Sequence, residues 1–338
     1  MSKKIGRFTL VIKTTLLLLL SLAWGWGILA IYFSGPEPVW LKMSVACGFA
    51  LLLPTLFLLA RSFKIGLLCC LLVFGGLIFW WQGLQPTGDK DWAPDVARIS
   101  HGEVQGNRLI MHNVRDFSYL DDGTTNEKWE TREYDLAKLT SLDLYLSYWA
   151  SEHIAHTILS WGFEDGQYMA ISIETRKDKS QEYSAVKGFF KQFELAYVAA
   201  DEKDIIRLRT NYRKERVYVY QLKVSAKRSR ELLLDYLAEM NRLVEQPEFY
   251  DALTRNCTTT ILLHSNATAP GDPAPMDWRI LASGHLDQLL YEHHLLYQQV
   301  AFSDLRQNSR IDLRMQRYGE RNFSQVLRQG LPDPNQSQ

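Results

Sequence analysis

The sequence predicts an α+β domain carried behind three N-terminal transmembrane helices. Three observations carry this expectation: apolar residues crowd into three runs ahead of Trp81, short alternating segments follow, and one later stretch repeats its apolar residues at helical spacing.

The runs cover residues 14–33, 43–60 and 65–81, each near the ~20 residues that a bilayer core requires. Lys3, Lys4 and Arg7 ahead of the first run would also suit a signal peptide, but the two later runs favour an anchor. Lys13 adds to that basic start, and Arg61 with Lys64 fills the turn between the second and third runs. Positive charge marks the cytoplasmic side, so three crossings put everything after about Gln82 on the far face. The expectation is a multi-pass protein of a bacterial inner membrane with a periplasmic domain. Trp40, Trp80 and Trp81 sit near the interfaces, whereas Trp24 and Trp26 fall deeper.

Residues 1–84 are thus read as the anchor, the Pro- and Gly-containing residues 85–91 as a linker, 92–321 as the exported domain and 322–338 as a polar tail. Lys plus Arg and Asp plus Glu each number 38, which leaves no basic footprint for nucleic acid. No nucleotide loop, metal set or covalent-cofactor motif is present, so no cofactor and no metal are expected.

Within the domain, residues 107–114, 145–148 and 217–224 read as extended. Residues 152–163 and 167–176 flank Glu164-Asp165-Gly166, which predicts a hairpin. Leu232, Leu233, Tyr236, Leu237, Met240, Leu243 and Val244 recur at helical spacing across 228–244.

Cys47, Cys69 and Cys70 lie in the apolar runs, so Cys257 is the one cysteine of the exported region and has no intrachain disulfide partner there. It stands where Leu253-Thr254-Arg255-Asn256-Cys257 turns from polar to apolar. A helix beginning there would stabilise a thiolate through free amides and the helix dipole. Thr258, Thr259 and Thr260 are mediocre helix formers, so an extended segment with a structural cysteine fits equally.

A nucleophilic thiol needs a base, and His153 and His156 open an apolar strand. Their spacing could suit zinc, but no glutamate lies between them and no neighbouring cysteine completes the set. Packed histidines are the plainer reading, above all for His153. A three-residue loop at Glu164-Asp165-Gly166 would bring Glu174 opposite His156, where a carboxylate can orient an imidazole. A two-residue turn would instead pair His156 with Thr175 and send Glu174 to the other face. An ion pair with Arg176 is the plain alternative for Glu174.

Five segments in one order then resemble the Lnb-type N-terminal periplasmic domain family: Asn113-Val114-Arg115-Asp116-Phe117, Ala155-His156-Thr157-Ile158-Leu159-Ser160, Ser172-Ile173-Glu174-Thr175-Arg176, Arg207-Leu208-Arg209-Thr210-Asn211-Tyr212 and Leu253-Thr254-Arg255-Asn256-Cys257-Thr258. The resemblance spans roughly residues 92–321. The order of histidine before cysteine also resembles circularly permuted papain-like enzymes, of the lecithin retinol acyltransferase and NlpC kinds. What the resemblance implies is that fold, with a thiol-dependent acyltransferase moving a fatty acyl chain from membrane lipid to the amino terminus of a lipoprotein. It implies Cys257 as nucleophile, His156 as base and Glu174 as orienting residue, with Asn113, Arg115, Arg176 and Asn256 around the substrate. His153 joins that group by its place beside His156. Donors for a developing oxyanion are sought in the Cys257 amide, Asn256 or Arg255. Lnb-type acyltransferases carry most spans after the domain, whereas three precede it here. A cysteine amidase or peptidase acting on the cell wall, and a non-catalytic membrane-tethered module, are the alternatives.

Overall fold

The computed structural model describes residues 2–331 apart from 121–123, 270, 272, 275, 298, 299 and 320. The terminal segment 332–338, expected to be disordered, lies outside the described residues. The chain divides into two compact units, Met1–Pro86 with Ser184–Gln192, and Thr87–Tyr183 with Phe193–Gln338.

In the first unit the apolar runs form α1 (Ser2–Ser34), α2 (Val39–Leu59) and α3 (Phe63–Gly83). Three helices, over Arg7–Ser34, Val39–Leu59 and Phe63–Gly83, are long and apolar enough to cross a membrane. Most large side chains point outward, which is stable only in an apolar solvent. The inward ones converge on Trp24, which stacks on Phe49 with centroids 4.4 Å apart. Its indole N–H donates to the Phe49 carbonyl at 2.8 Å. Gly27 permits this approach, because a Cβ there would lie 2.6 Å from Leu77 and 2.9 Å from Phe49. The short helix α4 (Ala185–Gly188) belongs with these helices, and Phe190 after it stacks on Phe33. Nothing in the local sequence signals that residues 184–192 leave the exported region for the anchor.

The second unit holds β1 (His101–Gln105), β2 (Arg108–Arg115), β3 (Ser118–Tyr119), β4 (Thr125–Asn126), β5 (Trp129–Asp135), β6 (Leu139–Tyr148), β7 (His156–Phe163), β8 (Tyr168–Arg176), β9 (Glu194–Ala200) and β10 (Arg216–Gln221). Its helices are α5 (Glu202–Arg207), α6 (Ala226–Glu245), α7 (Cys257–Thr268), α8 (Trp278–Leu281), α9 (Leu286–Glu292), α10 (Phe302–Ser309), α11 (Asp312–Met315) and α12 (Phe323–Leu327). Eight strands make one sheet in the order β1-β2-β9-β8-β7-β6-β10, with β5 also paired to β2. This is the mixed α+β architecture expected from the sequence.

Alternation along the central strands supplies two cores. Leu159, Trp161, Ile171 and Tyr197 face the buried stripe of α6, namely Leu233, Tyr236, Met240 and Leu243. Tyr145, Ile158, Val198 and Val219 face the opposite way, toward Ile206 of α5, Met315 of α11 and Phe323 and Leu327 of α12. The polar tail expected from residue 322 is therefore corrected. Phe323 and Leu327 are buried, and Arg328 after them forks between Asp143 and Glu202. Five residues make too short a stripe for periodicity to reveal.

The β7–β8 hairpin closes through the three-residue loop: the Phe163 amide donates to the Gln167 carbonyl at 3.0 Å, and Gly166 takes the left-handed conformation the loop demands. The register runs from Gly162 opposite Tyr168 to Ile158 opposite Ser172. Continued two residues further, it sets Glu174 across from His156.

Candidate functional site

β7 begins at His156 rather than at Glu152, and its first residues meet the start of α7. The threonine-rich segment is helical because its N-terminus is capped twice over. The Asn256 side-chain carbonyl accepts from the Thr258 and Thr259 amides at 2.9 Å each, and Thr259 Oγ1 accepts from the Asn256 amide at 3.0 Å. Asn256 Nδ2 donates to the Ala252 carbonyl at 2.9 Å. Asn256 is thus committed to the cap. The Thr260 amide donates to the Asn256 carbonyl, so among the described residues the Cys257 amide is the first-turn donor left over. Asn256→Ala is expected to cost about 1 kcal/mol of stability, read as a lowered denaturation midpoint of the detergent-solubilised protein.

Cys257 is partly buried at the first helical position. The Thr258 hydroxyl lies 3.8 Å from the Cys257 sulfur, and the His156 side chain and the Thr157 backbone are close enough to favour the thiolate. The other imidazole nitrogen is also engaged. His156 Nε2 lies 2.7 Å from Ser172 Oγ and 3.2 Å from Glu174 Oε1. Ser172 Oγ donates to Glu174 Oε1 at 2.7 Å; its oxygen therefore accepts, and Nε2 carries a proton. By elimination, Nδ1 is the nitrogen available to the thiol. Arg209 Nη2 donates to the same Glu174 oxygen at 3.1 Å, from a π-helical turn over Leu208–Tyr212.

Electrostatics follow from this geometry. Burial opposes the imidazolium, but the Glu174 carboxylate outweighs it and pushes His156 up to about 9 from an ordinary 6.5. Burial likewise opposes the thiolate, and hydrogen bonding to His156 with its positive charge brings Cys257 below its ordinary 9.0. Glu174 is held well below the carboxylate range: burial opposes its charge, and His156 and Arg209 more than compensate. The arrangement can hold a thiolate–imidazolium pair. That pair exists above the depressed thiol value and is lost as pH rises through about 9. Alkylation of Cys257 by iodoacetamide, followed by peptide mass mapping, is expected to reach its plateau below pH 9. In Glu174→Gln, burial and Arg209 push the imidazole down with only the thiol opposing them, so the thiol inflection is expected to move up toward 9.0.

The remaining candidates have partners within the fold. Arg115 is buried and donates to both oxygens of Asp204, at 2.8 and 3.0 Å, and to the Asp95 carbonyl at 2.9 Å. Arg176 donates to the carbonyls of Val96 and Ala97 and lies 4.2 Å over the Trp92 ring. Asn113 takes a left-handed backbone and donates from its side chain to the Ile99 carbonyl at 3.0 Å. His153 is exposed and meets His285 Nε2 at 2.9 Å. Arg255 pairs with Glu248 and Glu239 rather than offering an oxyanion donor.

Two residues at the site were missed in sequence. Ser172 lies two positions before Glu174 on one strand face, a signal that could have found it; Arg209 reaches Glu174 only through tertiary contact. Among the described residues no group of three or more His, Cys, Asp or Glu is placed to hold a metal.

Residues 125–284 match the family model of the Lnb N-terminal periplasmic domain. The chain carries a domain of this family. Inside the match lie β6 to β10 and the residues that meet at the thiol, Cys257, His156, Ser172, Glu174 and Arg209. Asn113, Arg115 and the Arg328 segment of the Lnb-type unit fall outside it. No curated protein and no solved structure matches the chain. Family and helices together describe a membrane-anchored protein with a periplasmic domain.

Proposed function

We propose that the Lnb-type domain is a cysteine-dependent acyltransferase. The observation that carries this is the Cys257–His156–Glu174 array, in which the imidazole has one nitrogen for the thiol and the other held by Ser172 and Glu174. His156 takes the thiol proton, and the thiolate attacks an ester carbonyl. The new carbon–sulfur bond forms as the ester carbon–oxygen bond breaks, and His156 returns its proton to the departing alcohol. An amine then attacks the thioester, forming an amide and releasing the thiol. The unspent Cys257 amide is the donor we assign to the developing oxyanion.

A membrane lipid is the donor we favour and the amino terminus of a lipoprotein the acceptor. Exposed apolar residues support a lipid donor. Ile154 is 52% exposed two residues before His156, and Trp278, 64% exposed, contacts His285, which meets His153. We place the protein in a bacterial inner membrane, crossing three times with the domain in the periplasm. Intact-mass spectrometry after incubation with bacterial phospholipid is expected to reveal a hydroxylamine-sensitive acyl adduct. Absence of that adduct, with release of amino groups from murein peptides, would replace acyl transfer by cell-wall amidase chemistry.

A further inference from the structure

A second concavity lies one strand from the base. It is a cleft of about 470 Å³ where β6 ends and β10 begins, walled by Tyr148, Trp149, Arg213, Lys214, Glu215 and Arg216. Its charge is positive, with three cations against one carboxylate. That carboxylate is turned inward: Glu215 accepts from Ser147 Oγ and lies 4.0 Å from Arg209 Nε. Arg216 answers Glu152 at 2.5 Å. Arg213 is 44% exposed along its side chain and reaches Glu215 only at 3.8 Å. Lys214 is exposed, and its ammonium has no acceptor among the described residues. Its backbone is left-handed, at φ 54°, a conformation that costs a lysine energy and is kept where surroundings impose it. Trp149 is 48% exposed beside these cations.

A guanidinium fork with an ammonium point charge suits a phosphate, which offers several acceptor oxygens to both. The half-exposed Trp149 side chain beside them offers apolar surface with a polar N–H to the small organic part of a headgroup. The cleft is coupled to the thiol site, because Ser147 pairs with His156 across β6 and β7, and Arg209 spans from Glu215 to Glu174.

We propose that this cleft binds a phosphate ester, the phosphodiester headgroup of the lipid whose acyl chain reaches Cys257. The lipid assignment rests on the acyl-transfer reading; the anion site does not.

The test is calorimetric titration of full-length Cys257→Ser protein in detergent, which binds without turning over, so its outcome is separate from that of the acyl-adduct experiment. The probes are short-chain phosphatidylglycerol, glycerol 3-phosphate, inorganic phosphate and a diacylglycerol of equal chain length. Added to that background, the double variant Arg213→Gln, Lys214→Gly removes both cations while glycine accepts the left-handed backbone. The dissociation constant for phosphatidylglycerol is expected to rise about ten-fold or more. Lys227→Gln, an exposed lysine elsewhere, should leave it unchanged. Unchanged binding in the double variant, or diacylglycerol binding as tightly as phosphatidylglycerol, overturns the proposal. Soluble phosphates binding as tightly as the lipid, and lost in the double variant, would keep the anion site and overturn its lipid source.

Discussion

Replacing Cys257 with serine is expected to remove the acyl adduct and to lower turnover by roughly 10⁴-fold or more. The reason lies in the ion pair. A hydroxyl ionises far above any value that His156, held near 9, can match, so the pair that hydrogen bonding and charge maintain at the thiol has no oxygen counterpart. His156→Ala is expected to fall nearly as far, because the thiol then keeps its burial and loses its counter-charge. The double variant should be no worse than the more damaging single one, since the two groups act as a unit. Turnover is read as acyl chain transferred to an amine acceptor, and adduct as intact mass with and without hydroxylamine. Full turnover by Cys257→Ser would remove the proposed mechanism.

Removing Arg328 is expected to be the most damaging change away from the thiol. Its guanidinium is the shared partner of two fully buried carboxylates: it lies 2.8 Å from Glu202 Oε2 through Nη1 and 2.9 Å from Asp143 Oδ2 through Nε. Tyr145 and Ser160 also donate to Glu202, at 2.8 and 2.6 Å, but neither carries charge. Burial pushes Asp143 up from the ordinary carboxylate range, and Arg328 only partly offsets it. Burial opposes the charge of Glu202 as well, and there Arg328 prevails and brings the group down. Arg328→Met leaves two like charges buried side by side, at a cost of about 3–5 kcal/mol. Ending the chain after Arg321 adds the loss of Phe323 and Leu327 from the core and should be worse. The sign with pH is fixed: burial without Arg328 raises both carboxylates, which gain protons as pH falls, so the deficit of Arg328→Met shrinks with falling pH. Denaturant midpoints of variant and wild type at falling pH measure it, and an unchanged midpoint at pH 7 would contradict the assignment.

Little of the site beyond its three principal residues was legible. Cys257, His156 and Glu174 could be named because an unpaired exported thiol, a strand-leading histidine and a hairpin register are each local features, and the five-motif resemblance joined them. The partners of the polar residues around them were not legible, for one reason. Asn113, Arg115, Arg176 and Asn256 are the polar members of the same motifs, and a motif does not say whether a side chain meets substrate or holds its own loop. Arg115 finds Asp204 across 89 positions, and Arg176 finds the Val96 carbonyl across 80. Such partners have no signature in the residues nearby.

By itself the sequence determined what periodicity and turn chemistry can specify. Three apolar runs became three helices, the stripe of Leu233, Tyr236, Met240 and Leu243 became the buried face of α6, and Glu164-Asp165-Gly166 became the loop that sets Glu174 across from His156. Each is a matter of a few neighbouring residues and a fixed repeat. Tertiary structure alone decided the rest: that Asn256 caps α7 beneath the thiol, that Ser172 and Arg209 share the Glu174 carboxylate, that residues 184–192 join the anchor, and that Arg328 completes the core. Buried charges and hydrogen-bonding groups must find partners wherever the fold brings them, and chain separation places no limit on that search.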